Sequence, residues 1–149
     1  MTSPNRLLHL AYWTGAIVDA AMVVLLLAPG AAGAMLGIDR FAPGPDYRYA
    51  AGLCAALMAG WTALLVWADR EPVQRRGVLV LTVLPVLVGL FAAGCYAIGS
   101  GLVRLAYLAP TLAFQLGASA LFLAAYRRAR KLARTSGSPA GLDMVAGGQ

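Results

Sequence analysis

The residue best placed to do chemistry is Asp19, the single acid in the 22-residue run Leu7–Ala28, LLHLAYWTGAIVDAAMVVLLLA. In a helix its neighbours at i−4 and i−3 are Gly15 and Ala16, small residues that let another helix approach the acid's own face. An ionised carboxylate at the centre of a membrane span costs at least ~2.5–3.5 kcal/mol on insertion scales. Asp19 must therefore face other helices, find a partner or carry a proton.

A second pattern lies near the other end of the chain. Thr111, Gln115 and Ser119 repeat every four residues, and Arg104 stands seven positions before Thr111. On a helix these residues form one polar stripe. Rising ~1.5 Å per residue, Gln115 lies ~16 Å below Arg104, and Asp19 lies ~14 Å below Ala28. The matching depths predict an Asp19–Gln115 contact if the two helices are neighbours. Two readings stay open. The stripe is helix glue, each cross-helix bond worth ~0.6 kcal/mol and the hydroxyls bonding their own backbone. Alternatively it lines a polar site, open to the outside, for a small ligand or a partner subunit.

Cys54 and Cys95 are the only cysteines, and each lies a few residues from the same outer surface. They form a candidate redox pair, although no Cys-x-x-Cys marks a thiol site. A free cysteine also serves as an ordinary small apolar residue. His9 is the only histidine, with no second ligand at metal spacing, and reads as an interfacial side chain. No Ser/His/Asp set, phosphate loop or zinc pattern is present. No catalytic residue, metal or cofactor is expected.

The elements that must position these residues follow from composition. The chain is 60% hydrophobic and 12% charged, whereas soluble domains carry about 25% charged residues. Apolar runs recur at Tyr49–Ala68, Val78–Gly99 and Leu105–Tyr126, and about 20 apolar residues cross a bilayer. With Leu7–Ala28 these make four spans. The fold expected is an all-α, integral-membrane four-helix antiparallel bundle over residues 1–134, with a disordered Gly/Ser/Pro-rich tail at 135–149.

Four spans put Arg6, Arg70, Arg75, Arg76, Arg127, Arg128, Arg130, Lys131 and Arg134 on one side, and Arg40, Arg48 and Arg104 on the other. Nine cations against three place both termini in the cytoplasm, in a cytoplasmic membrane of bacterial type. The charge of +6 therefore marks topology and not nucleic-acid binding. The cations of Tyr126–Arg134, YRRARKLAR, also suit anionic lipid. A cleaved signal peptide is the lesser reading of the first run, which exceeds a 7–15-residue h-region and is interrupted by an acid.

Between the spans, Pro29-Gly30 ends the first helix, and Ala31–Ile38 reads as an apolar cap at the outer interface. Gly52, Ala56 and Gly60 form a small-residue stripe suited to close helix packing. Pro85 interrupts the third span, with Thr82 available to satisfy the freed carbonyl.

Pro29 followed by Met35-Leu36-Gly37, the Ala- and Gly-rich second span running into Ala68-Asp69-Arg70-Glu71-Pro72, and a third span after Arg75-Arg76-Gly77 together resemble the DoxX-like four-helix bacterial membrane proteins. The likeness covers roughly Leu7–Tyr126. Many such proteins have no assigned role, and the reading adopted is a non-catalytic multi-pass protein with a buried polar site around Asp19 and Gln115 for a small ligand or a partner subunit. A membrane partner subunit or a homodimer is the expected assembly. Some relatives are discussed as partners of thiol or quinone redox enzymes, which would give Cys54 and Cys95 a role. A further alternative is a proton-coupled small-molecule transporter using Asp19, by analogy with small exporters that carry an acid in the first of four helices.

Overall fold

The computed structural model describes residues 6–38 and 41–136, and every regular element among them is helical. In order these are α1 (Arg6–Leu27), α2 (Pro29–Leu36), α3 (Pro45–Asp69), α4 (Gly77–Leu81), a π-helical segment (Thr82–Leu87), α5 (Val88–Gly99) and α6 (Leu105–Ser136). α4, the π segment and α5 form one helix, Gly77–Gly99, so four helices are long and apolar enough to cross a membrane.

The ends of these helices follow local chemistry. α3 begins at Pro45, four residues before the apolar run, because Gly44 is extended and proline suits the first helical turn. α6 continues ten residues past Tyr126, so Thr135 and Ser136 are helical. The remainder of the expected tail, 137–149, lies outside the described residues, as do Asp39 and Arg40.

The segment after α1 is a helix of its own. Pro29 opens α2, and Gly37 closes it in the left-handed conformation, φ 66°. The amide of Ile38 bonds Gly33 O at 3.0 Å and that of Gly37 bonds Ala34 O at 3.2 Å, which satisfies the last carbonyls of the helix. The ring of Tyr107, in the first turn of α6, lies directly where a Cβ on residue 37 would stand. Gly37→Ala is therefore expected to destabilise by at least about 1 kcal/mol from backbone strain alone. In detergent this lowers the unfolding temperature by roughly 3 °C or more.

Pro85 cannot donate to the carbonyl one turn before it. The strain is taken up by the wider winding of Thr82–Leu87. The Thr82 hydroxyl has other work: it donates to Val78 O at 2.9 Å and accepts from Trp61 Nε1 at 3.2 Å, joining α3 to the third long helix.

α1 packs along α3, and α6 packs against both α1 and the α4–π segment. At Gly15 an added Cβ would stand 3.0 Å from Leu65 and 3.2 Å from Phe122, so three helices meet at this glycine. The core is concentrated at one end. It joins Leu8, Tyr12, Leu65, Leu79, Phe122 and Ala129. This is the end that carries the loop arginines and the basic segment of α6, and it is called the basic end below. At the opposite end Gly33, Gly37 and Gly94 are covered by Phe41, Tyr107 and Leu112, and the open surface is on the outward helix faces. α5 has no buried residue, and Cβ atoms added at Gly52, Gly60, Gly89 or Gly99 would meet open space.

The Gly52/Ala56/Gly60 stripe thus faces away from the neighbouring helices. α3 instead buries Ala51 and Ala55, one position earlier and rotated by about 100°. Alanine at those positions already permits close approach to α1, so the glycines are not required there.

Candidate functional site

The most completely bonded polar cluster lies at the basic end. Asp69, the last residue of α3, takes two donors from α1: His9 Nδ1 at 2.6 Å and Trp13 Nε1 at 3.0 Å. A carboxylate only accepts, so His9 Nδ1 carries the hydrogen of this bond. His9 and Trp13 are one helical turn apart, which brings both rings over the end of α3. His9 therefore has a partner that its isolation in the sequence did not suggest. Matching His9 in the first turn of one span with Asp69 at the end of the next was the signal available.

Beside this cluster the α3–α4 turn is tied down. The Tyr12 hydroxyl donates to Arg75 O at 3.1 Å and reaches Pro72 O at 3.5 Å. Arg75 pairs with Glu71 at 3.0 Å, donates to Trp67 O at 2.6 Å, and holds its guanidinium 3.6 Å from the centre of the Trp67 ring. No group of three His, Cys, Asp or Glu side chains suited to a metal ion occurs among the described residues.

Asp19 lies beyond this end, on the buried face of α1 with Gly15 and Ala16. It is 9% exposed, and its Oδ2 is fully covered with no hydrogen-bond partner. Gln115 Oε1 is in the same condition. A buried carboxyl oxygen left unmatched costs roughly 1–3 kcal/mol, and more where it is charged. Core packing gives no return for that cost.

The remaining stripe residues are divided. Ser119 donates to Gln115 O at 2.7 Å, a bond within its own helix. Gln115 and Ser119 line a cleft of ≈ 160 Å³ with Leu87, Val88, Phe91 and Leu116, between the third long helix and α6. Arg104 lines a separate, polar cavity of ≈ 260 Å³ at the α2–α6 junction, with Gly37, Gly101 and Tyr107. Thr111 is half-buried and lines neither, and Asp19 borders neither. The structure thus keeps Gln115 with Ser119, separates Arg104 from them, and shows no Asp19–Gln115 hydrogen bond. Cys54 and Cys95 are free thiols at exposed positions.

Comparison with family models, curated proteins and solved structures gives no match to this chain.

Proposed function

We propose that the chain is a non-catalytic, multi-pass membrane protein of DoxX-like type in which Asp19 is the binding group for a small ligand or a partner subunit. Its four long helices form an antiparallel bundle with both termini on the cytoplasmic side. The observation that carries the reading is the covered, unmatched carboxyl oxygen of Asp19, the one acid of α1.

The surface supports a lipid surrounding. Leu27, Leu57, Tyr96 and Leu116 are 64%, 75%, 76% and 61% exposed, one on each long helix. Water would not tolerate so much outward apolar surface on a monomer, whereas hydrocarbon solvates it.

Depth then follows from the contact at Gly15. With α1 and α6 antiparallel, the level of Gly15 is that of Phe122, so one turn further Asp19 stands level with Ala118. Gln115 is three residues on, about 4.5 Å along the axis. Gln115 Oε1 is an acceptor, and so is Asp19 Oδ2 when the carboxyl is ionised. An occupant that engages them must bring hydrogen-bond donors. The packed core closes the basic end beneath Asp19, so entry is from the opposite, outer half.

Topology is tested by labelling in intact cells. A cysteine at Gly44 is expected to react with an impermeant thiol reagent from outside. One at Thr135 is expected to react only after the membrane is opened. The reverse pattern would invert the bundle and remove the outward route to Asp19.

A further inference from the structure

α6 is longer than a span requires. Its 32 residues make about 48 Å at 1.5 Å per residue, against a hydrocarbon core of ~30 Å. The surplus follows Tyr126, where the apolar run ends. Its rotation is fixed, because Ala125 and Ala129 are fully buried in the core with Leu8, Tyr12 and Leu79.

The opposite face carries Arg127, Arg130, Lys131 and Arg134, all exposed. At 100° per residue these four fall within an arc of about 100°. Arg128 lies off this arc and is engaged elsewhere.

Among the described residues, the counter-charge at this end is already committed. α6 contains no acid. Among the described residues the acids at this end are Asp69, which takes His9 and Trp13, and Glu71, which takes Arg75. The four-cation face therefore looks outward for its anions.

We propose that this face binds the phosphate headgroups of anionic phospholipids in the cytoplasmic leaflet. The inference rests on the membrane-spanning reading above. The interfacial layer is roughly 5–8 Å deep on each side, and Arg127 to Lys131 cover ~6 Å of axis. Arg127, Arg130 and Lys131 fall within that layer, and Arg134 lies ~4.5 Å further along the axis than Lys131. Guanidinium groups bind phosphate oxygens two at a time. The position within the headgroup layer favours lipid over a soluble acidic protein, which would have to displace the phosphates first.

The full chain is reconstituted into phosphatidylcholine bilayers with spin-labelled phosphatidylglycerol or spin-labelled phosphatidylcholine. The motionally restricted fraction of each lipid gives their relative association. Each cation near an anionic surface is worth roughly five-fold, so a preference of at least about five-fold for phosphatidylglycerol is expected. It should fall toward unity in 1 M salt, since the Debye length there is ~3 Å. It should also fall toward unity in the R127Q/R130Q/K131Q/R134Q variant. Arg128→Gln and the charge-preserving R127K/R130K/R134K variant should both retain it.

Equal association of the two lipids with the wild-type protein overturns the proposal, as does a preference that survives the four-fold glutamine variant. Binding of polyglutamate in pure phosphatidylcholine, without any phosphatidylglycerol preference, would assign the face to an acidic protein and equally overturn it. Release of the chain by alkaline carbonate is a different outcome, which refutes the membrane-spanning reading itself.

Discussion

Replacing Tyr12 by alanine is expected to destabilise the protein by about 3 kcal/mol, at the lower end of the range for buried aromatic truncations. Tyr12 is 1% exposed and among the largest fully buried side chains. Its ring lies in the core with Leu8, Leu65 and Leu79, and its hydroxyl holds the carbonyl of Arg75 in the α3–α4 turn. One substitution removes both attachments between α1 and that turn. Lipid solvates apolar atoms as well as a protein interior does. The loss therefore comes from the cavity, the packing contacts and the orphaned carbonyl, not from transfer to water, which sets the lower figure. Tyr12→Phe keeps the ring and is expected to cost about 1 kcal/mol. Thermal unfolding in detergent, followed by tryptophan fluorescence, separates the two. At roughly 3–4 °C per kcal/mol the alanine variant should melt about 10 °C lower. A melting point within about 2 °C of wild type would mean that stability does not reside at the basic end.

That end also shows where sequence reasoning stops. The four long helices were legible because apolar runs are local, and the breaks at Pro29 and after Asp69 were legible because proline and charge act locally. Contacts across helices were not. Gly52, Ala56 and Gly60 have the spacing of a packing stripe, but Ala51 and Ala55 are equally small and one of the two faces had to be chosen by tertiary packing. Pro85 was visible in the sequence, whereas its resolution by π-helical winding depends on what the neighbouring helices permit. The Thr111–Gln115–Ser119 repeat does share one helix, yet Ser119 spends its hydrogen on Gln115 O and Arg104 belongs to another cavity. The pairing of His9 and Trp13 with Asp69 was half legible: the abutting ends of the first two spans were visible, but the register of α1 against α3 that joins these side chains is encoded by neither segment alone.

Asp19 differs from all of these, because its place was legible and its partner is what the fold does not supply. Asp19→Leu is expected to stabilise the detergent-solubilised protein by about 2 kcal/mol, the scale of one buried polar group left unmatched. This reverses the usual sign for a buried position, where most substitutions destabilise. Leucine is close to aspartate in length and suits the apolar face that Gly15 and Ala16 share with residue 19. Asp19→Asn keeps a buried polar group and should stay within about 1 kcal/mol of wild type, since it leaves the need for a partner in place. On the proposed reading, the stability lost at this position accompanies a binding role. A donor-bearing ligand at a hundred times its Kd should raise wild-type stability by about 2.7 kcal/mol and leave the leucine variant unmoved. Thermal-shift screening of the three forms against small amines and alcohols reads both effects at once. Loss of more than about 1 kcal/mol in Asp19→Leu would show that the carboxyl is structural glue. Ligand shifts that persist in the leucine variant would move the site away from Asp19.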